Sequence, residues 1–251
     1  MSDPRDPSAA PRRLDQAMAA RGLAPSRARA QALIAAGVVE VDGAAASRAS
    51  AKVGPAAEIR VTADPCPWVS RAALKLVHAL DAFGLTPHGQ ALDLGASTGG
   101  FTEVLLARGA AHVHALDVGH GQLHPSLAAD PRVTSREGVN VRALPEGLVP
   151  APDWIVSDLS FIGLEKALPP ALALARLGAV LVALIKPQFE AGPRAVGRGG
   201  LVRDPAVHDA VRARIRAFLE TSGWEVTHED ASPIEGGDGN REFLIAARKA
   251  P

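Results

Sequence analysis

The chain has 251 residues, with 27 Lys or Arg balanced by 27 Asp or Glu and 47% apolar residues, a length that suits a small domain joined to a medium one. One cysteine, Cys66, excludes an internal disulfide framework and a cysteine-rich zinc site. No apolar run approaches the roughly 18–20 residues that cross a bilayer, and no secretory signal is evident, so the chain reads as soluble and cytoplasmic.

Zero net charge conceals an asymmetry. Residues 1–62 carry nine Arg or Lys and six Asp or Glu, an excess of three positive charges that the remainder cancels. A nucleic-acid contact normally leaves a basic footprint, which places the candidate contact in the N-terminal segment.

Residues 1–11 are polar and proline-rich and read as a disordered leader. Leu14, Ala17, Met18 and Arg21 lie at helical spacing, and Gly22 stops that helix. Ser26 caps a second helix whose inner stripe is Ala30, Leu33, Ile34 and Gly37. Val38–Val41 alternates like a strand, Asp42-Gly43 is a tight-turn signal, and Glu58–Val61 is a further strand. This small α+β unit spans 12–61, and the segment 62–68, with two prolines around Cys66, reads as a linker.

The rest, 69–251, alternates helix and strand. Ser70 caps a helix running to Phe83 with Ala73, Val77 and Leu80 on its packing face. Strands are expected at Ala91–Leu94, His112–Leu116, Trp154–Ser157, Ala179–Ile185, Trp224–His228 and Glu242–Ala247. Helices are expected at Gly100–Arg108, Leu164–Ala175 and Pro205–Ser222. Such alternation predicts an α/β, Rossmann-like, mostly parallel sheet that binds ligands at the carboxyl ends of its strands.

Asp93-Leu94-Gly95-Ala96-Ser97-Thr98-Gly99-Gly100-Phe101 follows an apolar strand and opens a helix, so a ligand can approach the backbone there. Asp117 closes the next strand, where a carboxylate can accept both hydroxyls of an adenosine ribose. Dinucleotide sites favour G-x-G-x-x-G, but Ser97 stands at the second glycine position. Asp93 would repel a pyrophosphate and suit an aminoacyl ammonium. S-adenosylmethionine is therefore the preferred cofactor, with a glycine turn that serves packing alone as the competing reading.

Three charges stand at strand ends, where burial normally forbids them: Asp158, Lys186 and Glu242. If the last strand is antiparallel, all three meet at one sheet edge beside the cofactor, and Lys75, off the apolar face of its helix, can join them. The order Lys75, Asp158, Lys186, Glu242 around DLGASTGGFT resembles the tetrad of FtsJ-like ribose 2′-O-methyltransferases. SRAALKL, VSDLSFI, LIKPQFEAG, GGLVRDP and GNREFL resemble the TlyA family of ribosomal RNA methyltransferases, often labelled hemolysin A. RRLDQAMAARGLAPSRARAQALIAAGVVEVDG resembles their S-four RNA-binding domain.

The resemblance implies methylation of a cytidine ribose in ribosomal RNA, with ribosomal subunits as partners and no metal or membrane. It suggests Lys186 as base, Lys75 as a nearby charge, Asp158 as the group that orients and balances the pair, and Glu242 positioning Lys75 or the ribose. A lysine accepts a proton only when neutral, a state favoured by burial or a nearby cation. Arg12, Arg13, Arg21, Arg27, Arg29, Arg48 and Lys52 are the candidate RNA contacts. Arg27 and Arg29 stand about 200° apart on a helix and cannot share one narrow strip. The glycine- and arginine-rich segment 192–203 is either a mobile loop over the substrate or a plain surface loop. An RNA-binding factor without catalysis and a membrane-lytic protein stay open as other classes, although no strongly amphipathic basic helix is evident.

Overall fold

In a computed structural model, residues 10–24, 26–62, 66–145 and 147–250 are described. The expected leader therefore lies outside the described residues up to position 9, as do positions 63–65 of the expected linker. The chain divides between Pro67 and Trp68 into two compact units.

The N-terminal unit contains β1 (Arg12–Arg13), α1 (Leu14–Ala20), α2 (Arg27–Ala35), β2 (Val39–Val41), β3 (Ala44–Ala45), β4 (Lys52–Val53) and β5 (Ile59–Val61). Leu14, Ala17 and Met18 of α1 pack with Ala30, Leu33 and Ile34 of α2 and with Val39. Ser26 caps α2 as expected, its Oγ accepting from Arg29 N–H at 3.2 Å. Gly37 is exposed and left-handed (φ 72°), so it ends the helix and is not part of the buried stripe. Asp42 and Gly43, both at positive φ, turn β2 into β3, which pairs Val41 with Ala44. The two-residue strands β1 and β4 pair with one another; they are too short to show a period in sequence.

The larger unit opens with α3 (Ala73–Ala82), β6 (Gln90–Leu94), α4 (Gly100–Ala107), β7 (His112–Leu116), α5 (Pro125–Ala128) and β8 (Val133–Arg136). It continues with β9 (Trp154–Ser157), α6 (Leu164–Ala167), α7 (Pro169–Leu174), β10 (Val180–Ile185), α8 (Pro187–Glu190), α9 (Pro205–Thr221), β11 (Trp224–Ala231) and β12 (Phe243–Lys249). One sheet in the order β11-β12-β10-β9-β6-β7-β8 carries both faces of the core. Strands β8 to β10 along this order are parallel, and β12 runs antiparallel to β10 and β11. Every residue of β10, Val-Leu-Val-Ala-Leu-Ile, is buried, as a strand covered on both faces requires. The order reverses at β6, which lies between β7 and β9, and this switch point opens the crevice in which such sheets bind ligands.

Three expectations are corrected. The single helix over 164–175 breaks into α6 and α7 because Pro169 and Pro170 cannot continue it, and Pro169 instead starts a new first turn. In α3 the buried stripe is Ala73, Leu76, Ala79 and Leu80, with Val77 only partly buried. Val133–Arg136, a half-buried edge strand, was not expected as a strand at all. By contrast, α9 follows its sequence closely: Asp204 caps Ala206 N–H at 2.9 Å, and His208, Val211, Ile215 and Leu219 form one buried stripe.

Candidate active site

Between β6 and α4 the chain turns through Gly95 and Gly99, at φ 84° and 95°. A Cβ on Gly95 would stand 3.0 Å from Leu159 Cδ2 and 3.3 Å from the Asp158 carbonyl oxygen, so glycine lets the loop after β9 close against this turn. Ser97 is also left-handed, at φ 46°. Its strain is held by two bonds, Ser97 N–H to Asp117 Oδ2 at 2.8 Å and Ser97 Oγ to Gln122 Oε1 at 3.1 Å. Strained residues of this kind cost about 1–3 kcal/mol and cluster at ligand sites. Asp117 Oδ1 accepts from Gly119 N–H at 2.7 Å, so the carboxylate is oriented from both sides.

Beside this turn lies a cavity of about 470 Å³ whose wall includes Gly95, Ser97, Asp117, Val118, Asp158 and Phe161. Ala96, Gly99, Gly100 and Phe101 are buried, while Thr98 is exposed; none of the five is on the cavity wall. Asp93 lies deeper than the sequence suggested, fully buried beneath the turn. Its Oδ2 accepts from Thr102 Oγ at 2.7 Å, and its Oδ1 has no partner among the described residues. Burial pushes the Asp93 carboxyl up to about 7 against the pull of the Thr102 hydroxyl, and the Asp158 and Asp117 carboxylates push in the same direction as burial. Three mutually repelling carboxyl groups around the turn make an environment suited to a cationic ligand, and the oriented Asp117 suits a vicinal diol. The residues present thus fit a positively charged nucleoside such as S-adenosylmethionine.

A second cavity, of about 510 Å³, adjoins the first and has Lys75, Lys186, Gln188 and Glu242 on its wall. Ser160 and Phe161 line both cavities. The antiparallel course of β12 brings Glu242 to the carboxyl end of β10, where Phe243 pairs with Ile185. Lys75 Nζ donates to Glu242 Oε2 at 2.5 Å, with both side chains buried. Lys186 Nζ meets Asp158 Oδ1 at 2.6 Å and donates to Ser160 Oγ at 3.0 Å. The four charges that the sequence singled out form two ion pairs at one sheet edge, three on the second cavity and Asp158 on the first.

Ser160, Phe161, Gln188 and Gln122 escaped the sequence reading. Phe161 is 90% exposed at φ 67° and stands 5.1 Å from the Phe189 ring. Its sequence signal is an aromatic three residues from the charged end of a buried strand, in a chain with only six Phe and no Tyr.

In the N-terminal unit the basic residues are not equivalent. Arg12, Arg48 and Lys52 are exposed. Arg13 and Arg27 bond the buried Asp15 at 3.0 and 3.2 Å and keep 41% and 54% of their side chains exposed. Arg21 donates to the carbonyls of Ala57, Gly54 and Pro55 at 2.6–2.9 Å, which gives it a structural task in holding that turn. Arg29 donates to the Cys66 carbonyl at 2.6 Å, apart from the Asp15 cluster that Arg27 joins. Arg13 holds the Asp15 carboxyl well below the usual carboxylate range, with Gln31 and Arg27 adding to the effect.

Among the described residues no helix is long and apolar enough to cross a membrane, and no group of three or more potential metal ligands occurs. The family description "FtsJ-like methyltransferase" matches residues 68–249, and "S4 domain" matches residues 12–59. A relative in Mycobacterium tuberculosis named 16S/23S rRNA (cytidine-2′-O)-methyltransferase TlyA is 46% identical over 94% of this chain and 89% of its own. A solved structure of a hemolysin-labelled protein from Streptococcus thermophilus is 37% identical, with a TM-score of 0.76 over 96% of this chain and 89% of that one. The fold alone recurs in the N-methyltransferase NodS from Bradyrhizobium japonicum in complex with S-adenosyl-L-homocysteine, 14% identical with a TM-score of 0.51, covering 75% of this chain and 90% of that one. With nearly the whole chain matched, and with an S4 domain ahead of the catalytic fold, this protein belongs to the TlyA family of FtsJ-like methyltransferases.

Proposed function

We propose that the protein transfers a methyl group from S-adenosylmethionine to the ribose 2′-hydroxyl of a cytidine in ribosomal RNA, with the S4 domain docking on the folded RNA. The observation that carries this reading is the two ion pairs, Lys186–Asp158 and Lys75–Glu242, set beside the cavity of about 470 Å³ and joined to it through Ser160 and Phe161. Ribosomal RNA is the substrate named for the 46%-identical relative, which supports this reading; a cytoplasmic reaction is part of the same proposal.

When bound, S-adenosylmethionine supplies an electrophilic methyl group on a sulfonium. Asp117 would accept the ribose hydroxyls of that cofactor, and Asp93 and Asp158 would balance its positive charge. Lys186 would take the proton of the attacking 2′-hydroxyl as that oxygen becomes methylated. Lys186 is buried and shares its cavity wall with Lys75. Once protonated, Lys186 is met by Asp158 at 2.6 Å and by Ser160 at 3.0 Å. Glu242 holds Lys75 in place. The exposed Phe161 ring offers a stacking face for an unstacked base, the usual device for reading single nucleotides in RNA.

Incubation with labelled S-adenosylmethionine and separated ribosomal subunits, followed by mapping of 2′-O-methylated positions, tests the reading. A discrete methylated cytidine is expected. Binding of ribosomal RNA without methyl transfer would instead support a non-catalytic RNA-binding factor, and lysis of liposomes by the purified protein alone would revive the membrane-lytic one.

A further inference from the structure

Of the GNREFL segment only Glu242 has a place in the proposed reaction, yet Asn240 is just 1% exposed. Its amide is fully engaged. Oδ1 accepts Val202 N–H at 2.9 Å, and Nδ2 donates to the Gly200 carbonyl at 2.9 Å and to Asp238 Oδ2 at 3.0 Å. The other polar group of the same residue, the Val202 carbonyl, accepts from His208 Nε2 at 2.9 Å, and the His208 ring stands edge-on to Phe243 at 5.4 Å. Val202 is therefore anchored by two buried side chains, one from α9 and one from the turn before β12. At the other end, Arg214 of α9 donates to the Glu190 carbonyl at 2.8 Å and meets Glu190 Oε2 at 3.2 Å.

The segment between these anchors is a mostly exposed loop tied at both ends. Val196 and Gly200 lie on the cavity wall with Lys75, Lys186 and Glu242, and Gly237 and Asp238 complete that side. Arg194 and Arg198 on the loop, and Arg203 just beyond Val202, are exposed and make no ion pair among the described residues. A ribose entering this cavity brings a phosphate on either side of it, and guanidinium groups suit bidentate contact with phosphate.

We propose that Asn240 is a positioning residue for the RNA acceptor. It fixes Gly200 and Val202 so that Arg194, Arg198 and Arg203 grip the phosphates flanking the target ribose. The inference rests on the proposed ribose methylation, and a clamp with a purely structural task would instead weaken cofactor binding, turnover and RNA affinity together.

The test uses the full chain, purified ribosomal subunits and labelled S-adenosylmethionine. Asn240→Asp keeps the shape of the side chain but turns an oxygen toward the Gly200 carbonyl and Asp238. It is expected to raise KM for the subunits about tenfold or more while kcat and the Kd for S-adenosylmethionine stay within about threefold. The paired substitution Arg194→Ala with Arg198→Ala, on exposed positions that cannot collapse the core, is expected to raise KM similarly. It should also flatten the salt dependence of RNA binding by about one unit of slope per lost phosphate contact. Unchanged KM in the arginine pair, or loss of cofactor affinity in step with KM in Asn240→Asp, overturns the proposal. If Asn240→Asp does not fold, the arginine pair decides. If the wild-type protein binds ribosomal RNA but transfers no methyl group, the proposed function fails, while RNA affinity measured on the same variants still decides the role of the loop.

Discussion

Lys186 Nζ stands 2.6 Å from Asp158 Oδ1, and the two residues follow directly on the neighbouring parallel strands β10 and β9. The register that pairs Ala183 with Ser157 sets Lys186 two positions beyond the level of Asp158, and the lysine side chain spans that offset. Lys186→Arg would retain a cation for Asp158 but could not accept a proton, since guanidinium stays charged. Methyl transfer by Lys186→Arg and Lys186→Ala is expected to fall by about 10²–10⁴-fold, with S-adenosylmethionine binding preserved by calorimetry. Turnover near the wild-type rate in either variant removes Lys186 from the mechanism.

Asp93 makes the catalytic unit sensitive to pH. Its carboxyl is raised from 3.8 to about 7, chiefly by burial, so between these values the folded protein keeps a proton that the unfolded chain releases. Its contribution therefore lowers stability as pH rises from about 4 to about 7 and is constant above that. Asp93→Asn is expected to flatten the dependence of Tm on pH in this window and to weaken S-adenosylmethionine binding. A pH dependence identical to wild type would show that the buried carboxyl is not the group responsible.

Asp15 acts with the opposite sign. Its carboxyl is depressed by Arg13, Gln31 and Arg27, so the stability it contributes is present above pH 4 and is lost as pH falls toward its lowered value. Asp15→Ala leaves Arg13, Arg27 and Gln31 without their shared acceptor and is expected to cost the N-terminal unit about 1–3 kcal/mol. Calorimetry should show an earlier transition for that unit, the transition of the catalytic unit unmoved, and weaker RNA binding with cofactor binding intact. An undisturbed N-terminal transition would contradict the role given to Asp15.

Phe161 offers a cleaner separation of function from stability. The ring is 90% exposed on a left-handed backbone, so Phe161→Ala removes almost no buried surface and is expected to shift Tm by no more than about 2 °C. Loss of one aromatic stack should weaken RNA-dependent kcat/KM by about 1–3 kcal/mol in transition-state terms. Full activity of Phe161→Ala on ribosomal subunits would exclude the stacking role.

What can be read along the chain is what local patterns encode. An apolar run that ends in a charge identified Asp158 and Lys186, and small residues between a strand and a helix identified the Gly95–Gly99 turn. Ser26 announced its helix because a cap bonds only two or three residues ahead. The paired prolines that divide α6 from α7 were equally visible, and the apolar spacing on either side of them masked their effect.

The roles that depend on partners far along the chain were not legible in this way. The three carbonyls that Arg21 holds lie more than thirty residues away and leave no mark beside it in the sequence. The depth of Asp93, the choice of Glu242 as the partner of Lys75 across 167 residues, and the clamp of Asn240 on Val202 follow from the same cause. Sequence by itself determined at which end of the strands the singled-out charges stand, because strand period and turn chemistry are short-range. Only the tertiary structure decided which charges face one another and which are buried, because the antiparallel return of β12 beside β10 joins segments that share no local pattern.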